Sequence, residues 1–149
     1  MKKEVNTDFL SPEECSSLIK KAAGMLDHSY APYSGFKVGA ALLTQGGRVF
    51  TGCNIENAAY GPSNCAERTA FFKAVSEGER CFKAIAIVGG KGGHIKDYCP
   101  PCGVCRQVMM EFCRPEAFMI ITAKTPEDYK IWTLKDLLPE GFGAGQMSE

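Results

Sequence analysis

The 149-residue sequence carries no excess of charge: seventeen lysines and arginines balance seventeen aspartates and glutamates. A nucleic-acid or anionic-membrane partner favours a basic excess or a basic stripe. Neither is present, so a small neutral ligand suits the chain better than a polyanion. No apolar run approaches the roughly 18 residues of a membrane-spanning helix, which argues against a membrane role. The opening segment Met1-Lys2-Lys3-Glu4-Val5-Asn6-Thr7-Asp8 lacks the apolar stretch of a secretory signal, making the cytoplasm the expected location. Histidine is scarce, and His28 and His94 fall at no metal-binding spacing; both read as surface or loop residues. Neither an internal repeat nor a low-complexity tract is present.

What is there suits a globular enzyme-sized unit. The chain is 45% hydrophobic and 23% charged, enough for a core and an ordinary polar surface, and its length fits one domain over residues 1–149. Eight cysteines stand at 15, 53, 65, 81, 99, 102, 105 and 113. In a reducing compartment, clustered cysteines bind metal or do chemistry, whereas isolated ones are small buried hydrophobes.

Ser11-Pro12-Glu13-Glu14 predicts a helix start, with Ser11 as cap, Pro12 in the first turn and Glu14 closing a capping box. Cys15, Leu18, Ile19, Ala22, Ala23 and Leu26 then recur at helical spacing. Tyr30 to Gly35 reads as a loop. Phe36–Leu43 and Arg48–Ile55 read as antiparallel strands joined at Gln45-Gly46-Gly47. Helical character follows over Cys65–Val75, a strand over Phe82–Val88, and a long loop marked by Gly89, Gly90, Gly92 and Gly93. Pro100-Pro101 leads into a helix from Cys102 to about Cys113. Strands over Ala117–Thr122 and Tyr129–Thr133, with Trp132 packing, precede a helical turn at Leu134–Leu138. This order predicts a layered α/β sandwich whose later strands run parallel.

Cys102-Gly103-Val104-Cys105 alone could be a redox pair, half of a structural zinc site, or two buried thiols. The proline lead-in puts Cys102 at a helix N-terminus, where the dipole and free amides favour thiolate. Cys65-Ala66-Glu67 opens another helix in the same way. Three sulfurs at Cys65, Cys102 and Cys105 would leave one tetrahedral position open, the layout of a catalytic rather than a closed structural zinc site. Glu67, two residues from one sulfur, is then placed to handle protons. Three thiolates on Zn²⁺ sum to a net charge of −1, which the neighbouring Arg68 could offset.

C-A-E followed by P-C-x-x-C is the signature of zinc-dependent deaminases. Phe36-Lys37-Val38-Gly39-Ala40-Ala41, Gly52 to Tyr60 (Gly-Cys-Asn-Ile-Glu-Asn-Ala-Ala-Tyr), Cys65 to Ala70 and Pro101 to Gln107 resemble blocks of the homotetrameric cytidine deaminase family. Leu137-Leu138-Pro139-Glu140-Gly141-Phe142 resembles that family's ending. The blocks occur in order over nearly the whole chain. The resemblance implies a three-layer α/β/α sandwich around a five-stranded mixed sheet. It also implies one Zn²⁺ per chain and hydrolytic conversion of cytidine and 2′-deoxycytidine to uridine and 2′-deoxyuridine plus ammonia, as in pyrimidine salvage. Glu67 would shuttle protons. Asn54 and Glu56, two apart on a strand and so on one face, would hold the ribose. The Ala66 backbone amide, Phe36, Tyr60 and Phe142 would meet the base or its pocket. Phe142 and Tyr60 would do so at subunit boundaries of a homotetramer. Read alone, Phe36 is a core aromatic at a strand start. Cys99, with Cys15, Cys53, Cys81 and Cys113, falls outside the ligand pattern. Deamination of another aminopyrimidine nucleoside and a non-catalytic zinc module stay open as alternatives; polynucleotide deamination is disfavoured by the zero net charge.

Overall fold

The computed structural model describes residues 10–148. The opening segment read for a missing secretory signal lies outside them. Helix α1 (Pro12–Gly24) starts as its sequence dictates: the Ser11 side chain accepts from the Glu14 amide, and the Glu14 carboxylate accepts from the Ser11 amide. Its buried stripe is Cys15, Leu18, Ile19 and Ala22. A hairpin follows, β1 (Phe36–Thr44) and β2 (Val49–Cys53), then α2 (Ala66–Ser76), β3 (Phe82–Lys91), α3 (Gly103–Phe112), β4 (Met119–Ala123), β5 (Tyr129–Thr133) and the short α4 (Leu134–Leu137).

The five strands form one sheet in the order β2-β1-β3-β4-β5. Both faces are covered, so the strands read as apolar runs rather than alternations. Alternation persists in where each side chain goes. Ala41, Ala84, Ala86, Val88 and Ile121 face α1, whereas Ala40, Leu42, Ile85, Ile87 and Ile120 face α2 and α3. The face under α1 is built largely of alanine, which lets that helix lie close. The other face is filled by aromatics around Phe71, which is fully buried with Phe82, Phe118 and Phe112 at 5.0, 6.0 and 6.2 Å between ring centroids. The result is three layers, α1, sheet, and α2 with α3, as expected.

Several details differ from the sequence reading. The later strands are not all parallel: β3 and β4 are, but β5 runs antiparallel to β4. The link from Lys124 to Asp128 closes by backbone hydrogen bonds between those two residues and between Thr125 and Asp128, too short for the crossover a parallel strand needs. Gly89 and Gly90 do not begin the loop but continue β3 to Lys91. A Cβ on Gly90 would lie 1.9 Å from the His94 carbonyl oxygen, so glycine here marks the loop's close return rather than a break. β2 stops at Cys53, two residues short of Ile55. Trp132 is 36% exposed on the edge strand β5 rather than packed inside, as part of an exposed run with Lys130 and Ile131.

Gly52 has a direct bearing on the site. An ideal Cβ there would sit 2.3 Å from the Ala66 carbonyl oxygen and 2.7 Å from the Ala70 nitrogen, so the first turn of α2 rests on bare β2 backbone. Gly52→Ala is therefore expected to push α2 away, costing about 2 kcal/mol as an overpacking substitution. A lowered melting temperature in calorimetry, together with weakened metal binding, checks this; an unchanged melting temperature contradicts it.

Candidate active site

The N-termini of α2 and α3 converge at one end of the sheet. Their N-cap residues are Cys65 and Cys102, both extended, and neither side chain makes a capping hydrogen bond. N-caps are ordinarily Ser, Thr, Asp or Asn because an oxygen satisfies the free amides. Cysteine there leaves the sulfurs pointing away from the helix and toward each other. The Cys65 and Cys102 Sγ atoms are 3.7 Å apart, and Cys102 and Cys105 Sγ are 3.5 Å apart. All three lie within 4.8 Å of one another.

A tetrahedral zinc with sulfur ligands at about 2.3 Å requires sulfur–sulfur edges of about 3.8 Å, so the donor set fits this ion. Its electrostatics point the same way. Hydrogen bonding from Cys105, opposed by burial and assisted by Arg68 and Cys102, holds the Cys65 thiol down at about 5. The Cys105 thiol is pushed up, first by that bond to Cys65 and then by burial. A bound cation would let all three sulfurs ionise. Arg68 Nη2 donates to Cys65 Sγ at 3.2 Å, while Arg68 Nε is buried with no hydrogen-bond partner. A guanidinium held in that position is spent on the charge of the sulfurs, not on solvent.

Cys65 and Cys102 line a cavity of about 310 Å³ together with Val38, Asn54, Glu56, Ser63, Asn64, Ala66, Glu67, Arg68, Cys99 and Pro100, and Cys105 is buried next to them. Glu67, in the first turn of α2, is only 4% exposed. Burial, reinforced by the negative charge at Cys65, raises its carboxyl to about 7. A carboxyl that exchanges its proton near neutrality, beside a three-sulfur metal site with a free position, is equipped for acid–base work on a bound molecule.

Asn54 and Glu56 reach the cavity from just past the end of β2, not from within it. Asn54 Oδ1 accepts from the Val38 amide at 2.9 Å and from the Ser29 hydroxyl, and Nδ2 donates to the Phe36 carbonyl at 2.7 Å. One amide hydrogen remains. Glu56 accepts from the Tyr33 and Ser34 amides, each at 3.0 Å, and from the Ser34 hydroxyl. These bonds, led by the Ser34 hydroxyl, lower its carboxyl pKa.

The aromatics are placed differently. Phe36, 40% exposed, does not line the cavity but lies beside Cys99, which does. Tyr60 is 73% exposed, edge-on to Tyr33 at 6.1 Å. Phe142 is 57% exposed, its carbonyl accepting from Gln107 Nε2 at 2.8 Å. Neither lines this chain's own cavity. Cys99 faces the cavity outside the three-sulfur group, its thiol pushed up to about 12 by burial first and then by the charges of Glu67 and Cys65. Ser29, Ser34, Val38, Ser63 and Asn64 escaped the sequence reading. They lie in loops or apolar runs where only the folded backbone shows what they face.

Residues 12–122 match the family model described as the cytidine and deoxycytidylate deaminase zinc-binding region. The chain belongs to this family. Among curated relatives, the cytidine deaminase of Sporosarcina psychrophila is 45% identical over 91% of this chain and 96% of its own length. That of Halalkalibacterium halodurans is 48% identical over 89% and 96%. The crystal structure of cytidine deaminase from Burkholderia pseudomallei superposes with a TM-score of 0.77 at 47% identity, over 85% of this chain and 97% of that one. The corresponding Mycobacterium tuberculosis structure gives 0.72 at 39%, over 85% and 95%. Membership in a zinc-binding deaminase family agrees with the donor set that the geometry assembles.

Purified protein is expected to carry one zinc per chain by plasma mass spectrometry. Cys102→Ala should lose it, and full retention would refute Cys102 as a ligand. Arg68→Ala should keep the three sulfurs but weaken zinc affinity about 10–100-fold in chelator competition, the usual cost of losing a hydrogen-bond partner of a ligand.

Proposed function

We propose that the chain is a zinc-dependent cytidine deaminase, catalysing cytidine or 2′-deoxycytidine plus water to the uridine product plus ammonia. The observation that carries this is the buried Glu67 carboxyl in one cavity with Cys65 and Cys102, whose sulfurs lie within 4.8 Å of the Cys105 sulfur. Cys65, Cys102 and Cys105 would hold the ion, which supplies the Lewis acidity that makes water a nucleophile near neutral pH.

The chain's own residues do the rest. Glu67 takes a proton from the attacking water and gives it to the ring nitrogen next to the amine-bearing carbon, making that carbon more electrophilic. The same carboxylate then takes the remaining proton of the added hydroxyl and gives it to the departing amine, leaving a carbonyl and ammonia, so it ends each cycle as it began. Burial favours such a shuttle, because a carboxyl near 7 both accepts and gives up a proton readily. The Ala66 amide, in a first helical turn whose amides lack intrahelical partners, is available to the ring carbonyl. Arg68 tempers the charge on the sulfurs.

At the sugar end, the remaining Asn54 N–H can donate to a ribose hydroxyl, and a free lone pair on Glu56 can accept from it. That pairing suits a neutral nucleoside and gives a bare base nothing to hold. Val38 would supply an apolar flank for the base from the cavity wall, with Phe36 next to it beside Cys99. The exposure of Tyr60 and Phe142 supports their use at subunit boundaries, with Phe142 completing a neighbour's cavity in a homotetramer. The whole chain would act as one cytidine deaminase-like domain in the cytoplasm, in keeping with two core clusters that share one sheet. Among the described residues no helix is long and apolar enough to cross a membrane.

Ultraviolet monitoring of cytidine loss, with other aminopyrimidine nucleosides in parallel, tests the activity directly. Glu67→Gln is expected to keep its zinc and lose about 10²–10⁴-fold in kcat. Near-normal turnover would remove Glu67 from the proton shuttle, and zinc-loaded protein inert on every nucleoside would leave a non-catalytic metal module. Sedimentation equilibrium should return four chain masses, and a monomer would contradict the shared cavity.

A further inference from the structure

The bonds that Glu56 accepts within the chain all come from Tyr33 and Ser34, in the loop that precedes β1. That loop is held in turn from the far side by the end of β3. Lys91 Nζ donates to the Ser34 carbonyl, and the Gly92 amide donates to the Gly35 carbonyl at 2.7 Å. The Lys91 stem also fills the space beside Gly35, where an ideal Cβ would lie 3.4 Å from Lys91 Cε. Ser34 is thus gripped at every polar atom: its amide and hydroxyl by Glu56, its carbonyl by Lys91, and its hydroxyl oxygen again by the Phe36 amide at 2.9 Å.

We infer that Lys91 is a positioning residue for the sugar-binding end of the cavity, acting on Glu56 through Ser34. Lys91 is not in ion-pair contact with Glu56 and its charge is the least of the influences on that carboxyl, behind the Ser34 and Tyr33 hydrogen bonds, so its main effect is transmitted by the peptide it anchors. With the Ser34 carbonyl fixed, the Ser34 amide and hydroxyl point at Glu56 and fix the carboxylate. One oxygen is then saturated by two amides, and the other is left with a lone pair toward the cavity. Without Lys91, only the Gly92 amide holds the loop to β3. Glu56 would then follow its donors away from the ribose, and binding would suffer while the reacting end, built on α2 and α3, would not. This rests on the reading of Glu56 as the partner of a sugar hydroxyl.

Substrates with and without that hydroxyl separate the possibilities. Lys91→Met keeps the stem and removes the ammonium. The variant is expected to raise KM for cytidine about fivefold, the scale of one partly solvated charge-assisted hydrogen bond, with kcat within about twofold. For 2′,3′-dideoxycytidine, which gives Glu56 nothing to hold, kcat/KM should stay within about twofold of wild type. Lys91→Arg should restore the cytidine KM. As Lys91 is exposed, its melting temperature should fall by no more than about 2 °C. An equal loss on both substrates, or an unchanged KM for cytidine, overturns the inference. Glu56→Gln, assayed alongside, must itself discriminate the two substrates. If it does and Lys91→Met does not, the positioning role alone falls. If Glu56→Gln does not discriminate, the reading of Glu56 falls first and takes the inference with it.

Discussion

Two helix N-termini meet with their cap sulfurs 3.7 Å apart, and most of the molecule can be understood as what holds that meeting in place. Helix ends of the same polarity repel, and thiolates repel each other. The convergence is therefore costly unless something compensates on both counts. The thiolate charge answers the helix ends. Arg68 answers part of the thiolate charge by donating to Cys65 Sγ, and a bound cation would answer the rest. Packing supplies the rest of the restraint. The Phe71 cluster fixes α2 against the sheet and α3, and the absence of a side chain at Gly52 sets how deep α2 can sit. The Arg106 guanidinium ties α3 to the Pro101 and Leu137 carbonyls at 2.7 and 2.6 Å.

The same constraint buries the carboxyl proposed to carry protons. A residue two beyond Cys65 lies in the first turn of α2 and is drawn under the sheet edge with it. A carboxylate in that place is desolvated whether or not a substrate is present, and its neighbour is an ionised thiol. Both effects act in one direction on Glu67. A single local arrangement thus creates a donor set for a metal and a carboxyl whose proton affinity suits neutral pH. Elsewhere in the chain burial works on isolated thiols. Cys113 is also raised by desolvation, but it stands alone on the apolar side of α3 and acts as a small hydrophobe.

The reacting end was legible in the sequence because its information is local. A proline lead-in, a C-x-x-C pair and C-A-E each specify a helix start with a sulfur at it, and the packing of α2 and α3 on the sheet brings those sulfurs together. The sheet was legible through its apolar runs and hairpin turn, yet the direction of β5 was not. Orientation there depends on the length of a five-residue link rather than on periodicity. Gly89 and Gly90 misled for a physical reason. Glycine in a strand and glycine in a loop look alike until the chain that returns against them is known. Asn54 and Glu56 were picked out as a pair sharing a face, but from the wrong element. Beyond Cys53 the backbone leaves β2, and a bridge of Ile55 to both Tyr30 and Asn64 carries them instead.

This departure from the strand explains how a polar pair can be both scaffold and binding surface. In a strand, Asn54 would spend its backbone on the ladder and leave its side chain wholly free. Past the strand end, its backbone amide still donates to the Val38 carbonyl, while its side chain takes the Val38 amide and gives to the Phe36 carbonyl. Three of its four side-chain hydrogen-bonding positions are thereby occupied, and the amide plane cannot turn. The last N–H is aimed before any ligand arrives, so little ordering entropy is lost on binding. Glu56 reaches the same condition through the loop that Ser34 belongs to. A sugar hydroxyl meeting these two groups finds one fixed donor and one fixed acceptor, the complement of its own O–H and lone pair. On the proposed sugar-binding role, selectivity for a nucleoside over a free base would follow from how β1 and its preceding loop are pinned.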